Sequence, residues 1–181
     1  MIKESKTLKW DKHHISGNYD YCSYARNHIP VLNAINQFKC KNILDVGCYT
    51  GALGTIIPEN GLIETYHGID ISDIALNEAK KNCMGMRKCS FEIADLEDYN
   101  SDKEFDCIVF SGIFIYPQYS DYLALQYVKK FNPDYIIVQD VVRKRELYPR
   151  LKTKYRIIHK SHYRINERAE RNHRQLYVFE I

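Results

Sequence analysis

The sequence lacks any long apolar run, and this absence is the first constraint on its class. No stretch approaches the roughly 20 consecutive apolar residues that a transmembrane helix needs. The N-terminal sequence, Met1-Ile-Lys-Glu-Ser-Lys, also lacks the apolar core of a signal peptide. We therefore expect a soluble, cytoplasmic protein without a membrane partner. Its length of 181 residues is that of a single domain able to form its own core.

Closely spaced cysteine pairs are missing as well. The six cysteines contain no C-x-x-C pair, and several lie in apolar segments, where cysteine behaves as a small hydrophobic residue. We expect reduced thiols rather than disulfides. The histidines of His13-His14 and of His159-x-x-His162 have no cysteine or strong carboxylate partner nearby, so the sequence predicts no metal site.

Charge is distributed unevenly along the chain. Residues 141–181 contain 12 Lys/Arg and 4 Asp/Glu, a net charge of +8, whereas the other 140 residues contain 14 and 19, a net charge of −5. A basic end on an acidic body favours an anionic partner for that end. A solvated basic face would explain the same pattern equally well.

Short apolar runs alternate with longer amphipathic stretches, which is typical of β-α units that build a parallel sheet. Strands are predicted at 42–46, 65–70, 89–94, 105–110, 135–139, 155–159 and 175–181, the last two as a hairpin. Helices are predicted at 51–57, 72–81, 119–131 and 143–152, with a further helix at 25–38 interrupted at Pro30. We interpret residues 1–40 as an N-terminal cover and residues 41–181 as the main domain.

The most informative segment follows the first strand and reads Ile43-Leu-Asp-Val-Gly-Cys-Tyr-Thr-Gly-Ala-Leu-Gly54. Its small residues allow a sharp turn and a close approach of the backbone to a ligand. A nicotinamide-binding loop would need glycine at position 49, which is tyrosine, so the dehydrogenase interpretation is disfavoured. Asp70 follows the second strand 19 residues beyond Gly51, a spacing typical of acids that bind ribose. Alternatively, Asp70 only caps the helix that begins near Ser72.

Two further motifs follow in order: Ala94-Asp95-Leu96 after the third strand and Phe105–Tyr116 at the fourth. Together with the glycine-containing segment and Asp70, they make about residues 40–140 resemble the class I S-adenosylmethionine-dependent methyltransferases. The resemblance implies a doubly wound, Rossmann-like α/β fold with a seven-stranded sheet, mostly parallel with an antiparallel last strand. It implies S-adenosyl-L-methionine as the cofactor. Glycine is common in this family where Tyr49 stands. The residues expected at the cofactor are Tyr19, Asp45, Gly47, Cys48, Gly51, Asp70, Ile71, Asp95, Leu96 and Ser111.

The acceptor is less constrained than the cofactor. Residues 105–116 do not contain the N/D-P-P-Y/F sequence of family members that methylate amino groups of DNA bases or glutamine, which disfavours both substrates. Asp140 follows the fifth strand, and His162 lies in the basic end, so both are candidate catalytic bases. For Asp140, an ordinary loop acid is an equally good interpretation.

The main hypothesis is methyl transfer to a small, anionic acceptor such as a sugar, a sugar nucleotide or another phosphorylated metabolite. We expect no dedicated substrate-recognition domain, although a second subunit of a homodimer could complete the binding surface. One alternative is an RNA methyltransferase that uses the basic end along the phosphate backbone. The other is a cofactor-binding protein that has lost catalysis.

Overall fold

The protein is described from a computed structural model. The structure describes residues 2–16, 24–116, 118–142, 147–164 and 173–181, without the side chains of residues 2–5 and 13. Tyr19, predicted near the cofactor, lies outside the described residues. No helix among the described residues is long and apolar enough to cross a bilayer.

A seven-stranded sheet forms the centre of the fold, with the strand order β3-β2-β1-β4-β5-β7-β6. Strands β1 to β5 are parallel to one another, whereas β7 is antiparallel to both of its neighbours, β5 and β6. This confirms the doubly wound, mostly parallel sheet with an antiparallel last strand. The strands are β1 (Asn42–Val46), β2 (Thr65–Asp70), β3 (Cys89–Ile93), β4 (Cys107–Ser111), β5 (Tyr135–Val141), β6 (Arg156–Arg164) and β7 (His173–Glu180).

Local sequence signals explain where the helices begin. Ser72 caps α3, since its side-chain oxygen accepts a hydrogen bond from the backbone N–H of Ala75. Pro30 stands in the first turn of α2, where its missing N–H costs nothing. The helices are α1 (Ile2–Ile15), α2 (Ile29–Gln37), α3 (Asp73–Asn82), α4 (Asp121–Phe131) and α5 (Pro149–Lys154), with 3₁₀ turns at Ala25–His28 and Gly54–Ile56.

Three predicted helices differ from the structure. The helix predicted at 143–152 is helical, in its described part, only from Pro149 onward, since Leu147 and Tyr148 are not helical. The helix predicted at 51–57 is a single 3₁₀ turn at Gly54–Ile56, because Gly51 adopts a left-handed φ of +72° and Pro58 prevents continuation. The helix predicted to be interrupted at Pro30 instead begins beside it, after the separate turn Ala25–His28. These differences concern the local backbone and leave the strand order unchanged.

The sheet separates two apolar cores. On one face, α4 and α5 pack against inward residues of the central strands, including Phe110 and Val138. On the other face, α2 packs against residues such as Val109, Ile137 and Leu176. Because β1 and β4 are buried on both faces, their sequences are nearly continuous apolar runs. The carboxyl ends of the parallel strands therefore meet at one edge, where ligands bind in sheets of this kind.

Candidate active site

A pocket of about 1010 Å³, counted out to its open mouth, lies at this carboxyl edge. Its walls come from the ends of β1, β2, β4, β5 and β7, and from α1 and the 3₁₀ turn before α2.

The loop after β1 forms one wall of the pocket through a tight turn. Gly47 has a φ of +74°, and a Cβ atom at this position would lie 2.3 Å from Cδ1 of Ile113. The backbone N–H groups of Gly47 and Cys48 both donate to the carbonyl oxygen of Ile69, at 2.8 and 3.0 Å. The turn is thus fixed to the end of β2, and its first position favours glycine, since any other residue would be strained at this φ.

Asp45 lies at the base of this wall and is almost fully buried. Its Oδ2 accepts a hydrogen bond from the Tyr66 hydroxyl at 2.6 Å. Burial raises the pKa of Asp45 to about 7, with a smaller contribution from the nearby charge of Asp70 and an opposing one from the Tyr66 hydrogen bond. Asp45 is therefore a pocket carboxyl that titrates near neutrality.

Asp70 ends β2 and faces the pocket with a half-buried carboxylate. Its Oδ2 accepts the backbone N–H of Tyr49 at 3.0 Å, and its Oδ1 accepts that of Ser72 at 2.9 Å. Burial raises the pKa of Asp70, while these backbone hydrogen bonds lower it. The carboxylate thus joins the loop after β1 to the start of α3, and it retains acceptor capacity toward the pocket.

Residues after β3 complete the apolar side. Leu96 lines the pocket and Asp95 does not. Oδ2 of Asp95 binds Nζ of Lys6 at 3.0 Å. Tyr119 also lines the pocket, and burial, with the nearby charge of Asp95, raises the pKa of its hydroxyl to about 12.

The opposite side of the pocket is polar. The Gln139 side chain on β5 donates from Nε2 to Ser111 Oγ at 2.9 Å, and its Oε1 accepts a hydrogen bond from the Tyr163 hydroxyl. Arg174 on β7 lines the pocket although its relative exposure is only 7%. Its positive charge is close enough to Tyr163 to oppose the increase that burial causes in the pKa of that hydroxyl.

Helix α1 lies across the carboxyl edge. Its side chains contact a different loop at each turn: Lys6 binds Asp95, Asp11 accepts from the Ser72 hydroxyl at 2.6 Å, and Nδ1 of His14 lies 2.7 Å from the Tyr49 hydroxyl. Between them, Trp10 lines the pocket, with its ring 4.9 Å from that of Tyr116 in an edge-to-face arrangement.

Most of the residues predicted at the cofactor meet in this pocket. The lining includes Asp45, Gly47, Cys48, Asp70, Ile71, Leu96 and Ser111. Gly51 is not part of the lining. A Cβ atom there would lie 3.0 Å from Cβ of Ala79 and from the Phe91 ring, so this glycine lets the loop pack against α3 and β3.

The two predicted bases lie elsewhere. Asp140 is fully buried, and its Oδ2 accepts a hydrogen bond from the Tyr148 hydroxyl at 3.0 Å, in the α4–α5 core. His162 is exposed on β6, at the edge of the sheet. Neither residue is part of the pocket lining.

Several residues of the lining were not predicted from the sequence. Trp10, Asn27, His28, Tyr116, Tyr119 and Gln139 all belong to it. Gln139 could have been found, since it precedes Asp140 at the end of β5 and alternation along a strand places one of the two toward the pocket. No local pattern marks Asn27 and His28, because the packing of α2 places them there. Among the described residues, no group of three or more His, Cys, Asp or Glu side chains could hold a metal ion.

Comparison with known proteins agrees with this geometry. A family model described as a methyltransferase domain matches residues 37–177. The chain is 33% identical over 79 residues to the "Probable cobalt-precorrin-6B C(15)-methyltransferase (decarboxylating)" of Thermoplasma acidophilum. That match covers 39% of this chain and 37% of the relative, so it spans well under two thirds of the relative's length.

Two solved structures share the fold at low sequence identity. The methyltransferase domain of bacterial CtHen1 superposes with a TM-score of 0.65 at 16% identity, covering 87% of this chain and 97% of that one. The N-methyltransferase NodS of Bradyrhizobium japonicum, solved with S-adenosyl-L-homocysteine, also gives a TM-score of 0.65 at 16% identity, and covers 78% of each chain.

Proposed function

The chain belongs to the class I S-adenosylmethionine-dependent methyltransferases, and we propose that its acceptor is a small anionic molecule such as a sugar phosphate or a sugar nucleotide. The observation that carries the proposal is the guanidinium group of Arg174 in the pocket wall, beside Gln139. The side chain of Arg174 is only 7% exposed, so its charge is held within the pocket wall and not in open solvent. Guanidinium groups bind carboxylate and phosphate through paired hydrogen bonds.

The residues around the loop after β1 fit S-adenosylmethionine. The turn at Gly47 leaves room for a ligand against the backbone, and we assign the ribose hydroxyls to the Asp70 carboxylate. Ile71 and Leu96 supply apolar surfaces for the adenine ring. Asp45, next to the turn, would face the methionine end. The adenine contact of Asp95 stays a prediction, since Leu96 rather than Asp95 forms the wall.

When bound, this cofactor supplies an activated methyl group on a sulfonium. The polar side of the pocket would orient the acceptor toward it. Tyr163 donates to Gln139, and Gln139 donates to Ser111, so the amide is fixed and the hydroxyl proton of Ser111 can point to a ligand. Arg174 would hold the anionic group of the acceptor at the β7 end. Alignment of the acceptor nucleophile is the main contribution that a protein makes to methyl transfer.

We assign removal of the acceptor proton to His28. This imidazole lines the pocket, whereas Asp140 and His162, predicted as bases, do not. The two carboxylates of the described lining already accept hydrogen bonds within the protein. Asp45 accepts one from Tyr66, and Asp70 accepts two from loop amides. An imidazole nitrogen next to the acceptor nucleophile can take its proton as a general base.

The test is an acceptor screen that pairs each phosphorylated sugar with its neutral counterpart, using formation of S-adenosylhomocysteine as the readout. With the best acceptor, Arg174→Gln should raise KM about 10- to 100-fold, because a charged hydrogen bond contributes roughly 1.5–3 kcal/mol. The control is Arg164→Gln, which removes the same charge from an exposed position on β6. His28→Asn should lower kcat.

Two results would contradict this proposal. If the wild-type enzyme methylates neutral and phosphorylated acceptors equally well, the acceptor need not be anionic and the proposal is wrong. If the Arg174→Gln variant keeps the wild-type KM, Arg174 does not bind the anionic group of the acceptor.

An RNA acceptor is the second candidate. Lys160, His162 and Arg164 are all exposed and alternate along the outer strand β6, so they present a basic strip that could follow a phosphate backbone. Binding of mixed RNA that weakens steeply with salt, and that is lost in Lys160→Gln/Arg164→Gln, would favour this candidate. Methylation of a small acceptor that is unaffected by competing RNA would favour the first.

A further inference from the structure

We propose that Cys83 and Cys89 are a modification site, at which a peroxide oxidises the two thiols to a reversible disulfide and so weakens the attachment of the loop after β1 (residues 47–54). Cys83 directly follows α3, and Cys89 is the first residue of β3. The inference concerns the cofactor loop, so it does not depend on the identity of the acceptor.

The first argument is that the two thiols meet on one residue of this loop. A Cβ atom on Gly54 would lie 3.1 Å from Sγ of Cys83 and 3.5 Å from Sγ of Cys89, so both sulfur atoms pack on this glycine. They are also close enough to share a hydrogen bond with each other. The connection between them folds back on itself, since the backbone N–H of Met86 donates to the Cys83 carbonyl oxygen at 3.0 Å. Two sulfur atoms in such proximity can form a disulfide.

The second argument is access from solvent, which differs between two cysteine pairs of the fold. Cys40 and Cys107 also share a hydrogen bond, but their side chains are 2% and 0% exposed, in the core beneath α2. Cys89 is half-buried and lies on β3, the outer strand of the sheet. A water-sized oxidant can therefore reach the Cys83–Cys89 pair beside β3, whereas the Cys40–Cys107 pair is shielded.

The third argument is the chemistry of the pair. The hydrogen bond from the Cys89 thiol lowers the pKa of Cys83, and burial opposes this effect. The Cys83 thiolate attacks the peroxide, so that an S–O bond forms, the O–O bond breaks, and hydroxide leaves and takes up a proton. The Cys89 sulfur then attacks the sulfenic sulfur: the S–S bond forms, the S–O bond breaks, and the oxygen leaves as water with the Cys89 proton. Two thiols and one hydrogen peroxide thus give one disulfide and two water molecules, and a dithiol reductant reverses the change.

The consequence for the loop follows from what the thiols bind in the reduced protein. The Cys83 thiol donates to the Gly51 carbonyl oxygen at 3.7 Å, and the Cys89 thiol donates to that of Gly54 at 3.8 Å. A disulfide has no S–H group, so oxidation removes both hydrogen bonds. Gly51 lies two residues after Tyr49, which lines the pocket. Oxidation therefore weakens the support of the segment that continues the cofactor wall.

The test compares the reduced full-length protein with the same protein after treatment with hydrogen peroxide. Once free thiols are blocked, trypsin cuts after lysine and arginine, so the disulfide should link the peptide 82–87 to the peptide 89–103 in the mass spectrum. Calorimetry with S-adenosylhomocysteine should give a Kd about 2- to 10-fold higher for the oxidised protein, because weak hydrogen bonds that support the loop are lost. Dithiothreitol should separate the peptides and restore the Kd of the reduced protein.

The matched variant is Cys89→Ser, whose hydroxyl can still donate to Gly54. It should bind S-adenosylhomocysteine like the reduced wild type and keep that affinity after peroxide treatment, and Cys83→Ser should behave in the same way. Both variants retain the exposed Met84, so they control for oxidation of methionine. In the treated wild type, Cys40 and Cys107 should still react with an alkylating reagent after denaturation.

Three results would overturn the proposal. If the two peptides stay unlinked in the folded, peroxide-treated protein, Cys83 and Cys89 are not a modification site. If the peptides are linked and the Kd does not change, the disulfide does not act on the cofactor loop. If both serine variants lose affinity after peroxide treatment as the wild type does, oxidation at another residue is responsible.

Discussion

Replacing Asp70 by alanine should damage both the cofactor site and the local fold. The two carboxylate oxygens accept the backbone N–H groups of Tyr49 and Ser72, at 3.0 and 2.9 Å. The same carboxylate is the group that we assign to the ribose hydroxyls. Alanine at this position therefore removes two structural hydrogen bonds and the ribose contact together.

The size of each effect follows from the number of bonds lost. A hydrogen bond to a charged acceptor contributes about 1.5–3 kcal/mol, and partial access of water reduces the cost where the site is half-buried. We expect the free energy of unfolding to decrease by about 2–3 kcal/mol through the loss of two backbone acceptors. Loss of the ribose contact should weaken cofactor binding by about 1.5–3 kcal/mol, or roughly 10- to 150-fold in Kd.

The measurements are urea denaturation and titration calorimetry with S-adenosylhomocysteine. Asp102→Ala is the control, since it removes one negative charge from an exposed loop position. Asp70→Asn should fall between wild type and alanine in stability, because its amide oxygen still accepts one N–H. A folded Asp70→Ala protein with wild-type affinity would refute the assignment of the ribose to Asp70. A loss of stability without a loss of affinity would leave Asp70 with the capping role alone.

Two further predictions concern the same edge of the sheet. Gly47→Ala should weaken cofactor binding about 10-fold by calorimetry, since a φ of +74° costs a residue with a side chain roughly 1–2 kcal/mol. Normal affinity would show that the turn can relax without affecting the site. Asp45→Asn should gain stability relative to wild type, by at most about 4 kcal/mol, as pH increases from about 4 to 7, and the gain should stay constant above that range. The reason is that burial raises the folded-state pKa of Asp45 to about 7, so that unfolding of the wild type releases a proton in this pH window. The measurement is urea denaturation of both proteins across the range. A difference in stability that does not change with pH would show that the carboxyl is already ionised in the folded protein.

The sheet could be predicted because its signals are local. Strands such as Asn42–Val46 and Tyr135–Val141 are buried on both faces, so their sequences are apolar runs that identify them directly. Ser72, Asp73 and the lysines at the end of α3 marked a helix by capping and dipole alone. The family resemblance supplied the order of the strands, which a single sequence does not encode locally.

The site was only partly predictable, because half of it is assembled from distant segments. Gly47, Asp70 and Leu96 follow strands and could be located from spacing. Arg174 was grouped with the basic end, but its position in the pocket wall depends on the antiparallel pairing of β7 with β5. Asp140 and Gln139 are the clearest example of what the sequence could not decide. They are neighbours on β5, but Gln139 lines the pocket whereas Asp140 faces the α4–α5 core.

Tyr49 stands where this family commonly has glycine, and its geometry connects that departure to the N-terminal helix. Its φ of +52° is left-handed, a conformation that costs a side chain roughly 1 kcal/mol or more. Glycine would avoid this cost but would have no hydroxyl to meet His14 at 2.7 Å. The hydrogen bond with His14 therefore offsets part of this strain, and it depends on the position of α1. A tyrosine that is strained in the loop but bonded to the N-terminal helix connects the cofactor wall to α1, and this connection is a physical reason for tyrosine at a position where glycine is common.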